Sequence, residues 1–279
     1  MRFGITMFLT DQSIGPAELA VETEARGFES LYIPEHTHIP VSRSTPVPTG
    51  DGELKPEYSR TLDPFVALTA AAGATERLTV GTGICLVAQH DPIVLAKSVA
   101  TLDLISAGRF TFGVGFGWNR EELADHGVAF ADRREVVRER MLAMQALWTN
   151  DVASFAGEHV RFEASWQWPK PLQQPRPPVL IGGSSGPKLF QHVAEWADGW
   201  IPVGGGGLTE AIPRLRDEWA GHGRDPADLQ IVPFGSVPTP GKLEHFHDIG
   251  VTEVVFRLPS GPRQEVMPVL DEYAGLLPK

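Results

Sequence analysis

The stretch from Asp91 to Glu122 limits the possible folds more than any other. Asp91 and Pro92 are a helix cap and a first-turn residue, an apolar helix follows from Ile93 to Ser106, and Gly108-Arg109 stops it. The chain then enters an apolar strand, Phe110 to Val114, which opens onto Gly115-Phe116-Gly117-Trp118-Asn119-Arg120-Glu121-Glu122. Small residues there leave room for a flat ligand to lie against backbone, while Trp118 and Asn119 supply a wall and a hydrogen bond. A helix feeding a strand that ends on glycines is α/β order, in which ligands gather at the carboxyl ends of strands.

The same alternation runs along the chain. Strand-like runs fall at Phe3 to Phe8, Ser30 to Pro34, Leu78 to Val87, Phe110 to Val114, Val179 to Ile181, Gly199 to Val203, Leu229 to Phe234 and Val251 to Leu258. Eight is the number a closed parallel barrel needs. Val137, Met141, Met144 and Trp148 follow helical spacing, as do Leu189, Val193 and Trp196, and these stripes read as packing. With 279 residues, the expectation is one α/β domain over 1-279, a TIM-like (β/α)8 barrel with insertions.

Two segments break the rhythm. Residues 37-63, rich in Pro, Gly, Ser and charge, with Pro46-Val47-Pro48 and Gly50-Asp51-Gly52, read as a lid-like loop or an excursion without function. Residues 151-178 read as an insertion before the fifth strand, with a hairpin around Gly157 and a proline-rich tract.

Lys+Arg 24 against Asp+Glu 35 gives a net charge of -11, which repels nucleic acid and anionic lipid. Cys85 stands alone in an apolar run and reads as a buried small hydrophobe in a reducing compartment. Neither a signal peptide nor an apolar run of membrane length is visible, so the expectation is a soluble, cytoplasmic protein acting on a small molecule.

Gly113-Val114-Gly115-Phe116-Gly117-Trp118 lacks the third glycine of a dinucleotide fingerprint. Ile181-Gly182-Gly183-Ser184-Ser185-Gly186-Pro187 passes from strand through turn into helix, and its backbone N–H groups suit a phosphate or carboxylate. It serves equally as an ordinary tight βα turn. Glu35-His36-Thr37-His38 follows the second strand, and a His36/His38 metal-dependent hydrolase is one reading, but later strand ends offer no further ligands. The other reading is one histidine moving a proton near a bound ring. His192, His245 and His247 read as surface residues. With no nucleophile elbow, Walker loop or paired-cysteine site, the inventory suits a flat, phosphate-bearing redox cofactor and no metal.

Taken together, Gly81-Thr82-Gly83, Pro92 with Ala96 and Lys97, Thr101-Leu102-Asp103, Ser106, Gly108-Arg109, Gly113-Val114-Gly115, Gly117-Trp118-Asn119 and Glu122 resemble the luciferase-like monooxygenase superfamily. Pro178-Val179-Leu180-Ile181-Gly182-Gly183 and Ala197-Asp198-Gly199-Trp200 extend the match. Within it, the chain looks closest to actinobacterial oxidoreductases using the deazaflavin coenzyme F420. The resemblance implies a barrel, usually a homodimer, binding F420 or FMN at the carboxyl ends of its strands. His36 matches a histidine near the reactive ring edge, a proton donor or orienting group that follows the acidic Glu35. Gly83 and Ile84 match a pair joined by a non-prolyl cis peptide, and Gly182, Gly183 and Ser184 match the phosphate turn. Sugar-phosphate dehydrogenases of the family carry glutamate where Trp118 stands, so an apolar or aromatic substrate is expected. The candidate set is therefore His36 as catalytic residue and Glu35, Gly83, Ile84, Gly117, Trp118, Asn119, Gly182, Gly183, Ser184 and Ser185 around the cofactor. The expected reaction is hydride transfer at the deazaflavin C5, with an FMN-dependent monooxygenase as alternative and a flavin-binding barrel without turnover as a third reading.

Overall fold

The computed structural model describes residues 1–47 and 52–278; Pro48, Thr49, Gly50 and Asp51 of the 37-63 loop lie outside them. The first half runs β1 (Arg2–Thr6), α1 (Pro16–Ala25), β2 (Ser30–Ile33), α2 (Pro64–Gly73), β3 (Thr79–Thr82), α3 (Pro92–Ile105), β4 (Phe110–Val114), α4 (Arg120–Asp125) and α5 (Arg133–Thr149). The expected hairpin follows as β5 (Ala153–Ala156) and β6 (Arg161–Ser165), antiparallel. The Glu139 carboxylate of α5 accepts the N–H groups of Glu158, His159 and Val160 at 2.9, 2.8 and 3.1 Å and clips the hairpin to the barrel. Alternation resumes with β7 (Val179–Gly182), α6 (Pro187–Trp196), β8 (Gly199–Ile201), α7 (Leu208–Gly221), β9 (Gln230–Ile231), β10 (Phe234–Ser236), α8 (Pro240–Asp248), β11 (Glu253–Arg257) and α9 (Arg263–Ala274).

The helices begin where the sequence marks them. Proline opens α1, α2, α3, α6 and α8, and the Asp91 carboxylate accepts the N–H groups of Ile93 and Val94 at 3.0 and 2.9 Å.

The main sheet has the order β10-β11-β1-β2-β3-β4-β7-β8-β9, with parallel pairing throughout. Its two ends are halves of one segment, divided at Val232-Pro233 because proline has no N–H to give a ladder. Val232 N donates to Trp200 O at 2.9 Å, Phe234 N to Pro202 O at 2.8 Å, and Val255 N to Pro233 O at 2.9 Å, so the segment binds both neighbours and the barrel closes.

Two apolar clusters result. The larger lies between sheet and helices; the smaller, Tyr32, Leu180, Ile201, Val232 and Val255 with Ile84 and Phe234, fills the lumen. Large and small residues alternate there: a Cβ at Gly81 would lie 2.5 Å from the Tyr32 ring and 3.0 Å from Thr111 O. The lumen floor is polar. Glu253, fully buried, accepts from the Ser30 hydroxyl and from Arg2 Nη2, the latter at 2.5 Å, and burial raises its pKa.

Two expectations need correction. The strand expected over Leu78 to Val87 is shorter, Thr79–Thr82: Gly83 N still donates to Ile33 O, the Gly83-Ile84 peptide is cis, and Cys85 N donates to Gly113 O at 2.8 Å. His192 is buried, not a surface residue: it sits three residues beyond Leu189 on the inward stripe of α6, against Phe116 at 5.3 Å, and accepts from Trp196 Nε1 at 3.3 Å. Burial lowers its pKa. His245 and His247 are exposed as expected.

Because Gly81 gives its space to Tyr32, Gly81→Ala is expected to destabilise by about 1–3 kcal/mol through overpacking. A thermal melt checks it; an unchanged Tm would show that the lumen yields.

Candidate active site

A cavity of about 230 Å³ opens where the strands end. Its lining includes Thr6 at the end of β1 and Phe8 after it, Glu35 and His36 after β2, Gly83 and Ile84 after β3, Trp118 after β4 and Arg257 on β11, and Tyr58, from a short 3-10 turn (Pro56–Ser59), adds a wall. The rings of His36, Tyr58 and Trp118 surround one space, with centroids 5.4 Å apart for His36–Tyr58 and 5.8 Å for His36–Trp118.

Two buried carboxylates shape this mouth. His36 Nδ1 meets Glu122 Oε2 at 2.9 Å, with both side chains almost wholly buried. A carboxylate only accepts, so Nδ1 carries the proton and Nε2 is the nitrogen left for a ligand. Glu122 is placed by α4, whose cap Asn119 accepts the Glu122 N–H through Oδ1 at 3.5 Å. The second carboxylate is Glu35. It accepts the Leu86 N–H at 2.6 Å and meets His90 Nε2 at 2.8 Å. Burial alone would raise its pKa, but His90, the Leu86 N–H and the Cys85 thiol hold it below the usual carboxylate value. Burial in turn works against His90 protonation, and the Glu35 bond and charge outweigh it and raise the His90 pKa. Burial pushes the Cys85 thiol well up, in keeping with an inert buried hydrophobe.

His36, Glu35, Gly83, Ile84 and Trp118 thus meet at one cavity, and the cis peptide falls where expected. Glu35 is present at the lining, but its carboxylate turns into the protein. Gly115 does not make room for a ligand: the Ile84 side chain fills it, 2.4 Å from where a Cβ would stand. Gly117 serves the backbone, with φ +78° in the turn from β4 to α4. Gly182 touches the site only through Ile84, whose Cγ2 lies 2.9 Å from its Cβ position. The Gly183 N–H donates to Ile201 O at 3.3 Å and so is not open to an anion, and Ser184 and Ser185 are both exposed outside the cavity. His38 points elsewhere: its Nε2 meets Asp125 Oδ2 at 2.9 Å. Among the described residues, the group with three metal-type ligands close together is Glu35, Cys85 and His90, already joined by the hydrogen bonds above, and it includes neither His36 nor His38.

The 37-63 loop builds the outer wall. Glu121 accepts from the Ser44 and Thr45 N–H groups at 2.9 and 3.2 Å and from both hydroxyls, which hold its pKa down at about 2. Thr61 Oγ1 donates to His36 O at 2.9 Å. Tyr58 and the bond to Glu122 were missed from sequence. No local signal marks Tyr58, whereas Glu122 stands within reach of Trp118 on a capped turn of helix.

Asn119 Nδ2 and Glu122 Oε1 are buried without partners beside Trp118 and His36. Neither residue lines the cavity, so Asn119, expected at the cofactor, serves as the cap of α4; the cavity itself, walled by the His36, Tyr58 and Trp118 rings, fits a planar ligand. The model of the luciferase-like monooxygenase family matches residues 15–239. The chain belongs to the luciferase-like monooxygenase family. An uncharacterized protein of Mycobacterium tuberculosis (strain ATCC 25618 / H37Rv) is 45% identical over 99% of both chains. The F420-dependent glucose-6-phosphate dehydrogenase of Kineococcus radiotolerans is 28% identical, over 75% of this chain and 59% of its own length. The FMNH(2)-dependent dimethylsulfone monooxygenase of Pseudomonas putida is 32% identical, over 55% of this chain and 43% of its own. An F420-dependent secondary alcohol dehydrogenase, solved with an F420-acetone adduct, superposes with a TM-score of 0.79 at 17% identity, over 100% of this chain and 99% of its own. The luciferase-like family therefore accounts for the fold, a TIM-like barrel, and for oxidoreductase chemistry with either a deazaflavin or a flavin among the relatives.

The Glu35–His90 pair makes stability pH-dependent. His90, raised in the fold, contributes below its ordinary 6.5 and loses that contribution as pH rises through the higher folded value. Glu35, lowered, contributes above its ordinary 4.5 and loses it as pH falls. Tm should therefore decline above pH 6.5, and His90→Gln should flatten that decline; an unaltered profile would contradict the pairing.

Proposed function

We propose that this protein is an F420-dependent oxidoreductase transferring a hydride between the cofactor C5 and a small, apolar organic substrate at the barrel mouth. One observation carries the reading: His36, hydrogen-bonded to buried Glu122, faces the same cavity as Trp118 and the Gly83-Ile84 backbone. The deazaflavin, when bound, supplies or accepts the hydride. His36 Nε2 gives a proton to the substrate atom that gains electron density, or takes it in reverse, while Glu122 holds the ring orientation and stabilises the imidazolium. Trp118, Tyr58 and Phe8 exclude water and favour an apolar substrate. Glu122 acts through His36, Asn119 fixes α4 that carries it, and Ser184 with Ser185 meets the phosphate. The FMN-dependent monooxygenase reading competes because one relative is named for FMNH(2).

We further read the protein as a cytoplasmic homodimer. Ile93, Val94, Leu104 and Ile105 on α3, with Val66 on α2, expose apolar side chains that a second copy would cover. Light scattering should give twice the 30.4 kDa chain mass.

Titration with F420 and with FMN, followed by tryptophan quenching, tests the cofactor. Saturation by F420 at micromolar concentration and not by FMN is expected, and indifference to both would remove the proposal. His36→Asn should cut turnover with ketone or enone substrates by about 10²–10⁴-fold with cofactor affinity retained. Binding with no turnover in either protein would favour a non-catalytic barrel.

A further inference from the structure

Arg257 brings a guanidinium to a cavity walled mostly by apolar and aromatic side chains. Strand alternation puts it there. On β11, Val255 belongs to the lumen cluster, while Phe256 packs outward on Phe3, Phe28 and Tyr273, so Arg257 turns back to the lumen side at the carboxyl end. Thr6 of β1 stands opposite it in the ladder, and its guanidinium lies over the Phe8 ring at 5.4 Å. The carboxylate that reaches it is Glu57, from the turn that carries Tyr58, through a single contact of Nη2 with Oε1 at 3.4 Å. A charge-assisted bond closes to about 2.7–2.9 Å. Arg60, on the same loop, shows the contrast, forking onto Asp11 through Nε and Nη2 at 2.8 and 2.5 Å. Glu35, the carboxylate at the cavity lining, turns inward to Leu86 and His90. A fork of N–H donors that makes one long contact beside an apolar wall is matched by a carboxylate entering the cavity.

Aromatic rings separate this cation from the reacting end. Phe8, under Arg257, packs on Tyr58 at 4.7 Å, and Tyr58 packs on His36 at 5.4 Å. Two rings thus stand between guanidinium and imidazole, and they suit an apolar span. Resting on the reading of His36 as the group at the reacting carbon, we propose that Arg257 is a specificity-determining residue that binds the carboxylate of an acidic substrate. The substrate class is an organic acid whose apolar body lies along Phe8 and Tyr58, with its carboxylate at the end away from the reacting carbon. Over a chain of net charge -11 the general field repels such an acid, so the local cation holds it. Substrate and Glu57 compete for the same guanidinium.

Calorimetric titration of the full chain with phenylbutyrate and with phenylbutyramide, alike in shape and different in charge, tests this without cofactor. Wild-type protein should bind the acid about tenfold more tightly than the amide at low salt, with the gap narrowing at high salt. Arg257→Gln should remove that preference and leave amide affinity unchanged, and Arg257→Lys should keep part of it. Glu57→Gln should tighten the acid by releasing the guanidinium. Equal wild-type affinity for acid and amide, binding of neither, or a preference retained in Arg257→Gln overturns the subsite. So does weakening of both probes alike in Arg257→Gln and Glu57→Gln, which would assign the pair to holding the loop. A parallel F420 titration separates the two readings. Protein that takes F420 but shows no preference for the acid loses the subsite alone; protein that prefers the acid but ignores F420 keeps the subsite and loses the cofactor reading.

Discussion

A carboxylate buried behind the barrel mouth sets where the site is. Glu35 follows β2, yet it holds the chain that leaves β3, through the Leu86 N–H at 2.6 Å and His90 at 2.8 Å. An ionised group so deep costs several kcal/mol of hydration and persists only with partners that satisfy it. Those partners fix the segment after the Gly83-Ile84 cis peptide, so Ile84 both fills the spaces over Gly115 and Gly182 and borders the cavity. Removing the carboxylate would leave the bulge without its anchor and His90 without its counter-charge.

A second buried carboxylate works the same way on His36. Glu122 reaches His36 from α4, a helix of only six residues, and Asn119 at its start fixes the helix to the end of β4. Glu121, next in sequence but facing outward, ties down Ser44 and Thr45. Neighbouring glutamates thus serve the proton-moving histidine and the loop that walls it, because successive helical residues point about 100° apart.

Closure of the barrel makes these arrangements meet. β9 and β10 divide one segment between β8 and β11, so Phe234 and Arg257 reach the same mouth as His36 and Trp118. Lumen packing then depends on small residues facing large ones, as at Gly81 beneath Tyr32 and Gly83 beside Phe234, whose Cζ is 2.3 Å from the Cβ position. An open sheet would leave Phe234 on the edge strand β10, far from the central β4 that leads to Trp118.

The sequence by itself determined the strand–helix order, the helix starts at Asp91 and the proline-led helices, the hairpin around Gly157, and the family with its His36, Gly83-Ile84 and Trp118 positions. These are local signals, carried by caps, periodicity and contiguous motifs. Tertiary structure alone decided that Glu35 turns inward, that Glu122 partners His36 across 86 positions, that the Gly183 amide belongs to Ile201, and that Tyr58 joins the wall. It also put His192 inside, where its helical stripe packs, and left Arg120, Arg133 and Arg134 over aromatic faces without a carboxylate partner among the described residues. The physical reason is range: caps and turns act over a few residues, whereas burial and charge pairing are properties of neighbours that only closing the barrel brings together.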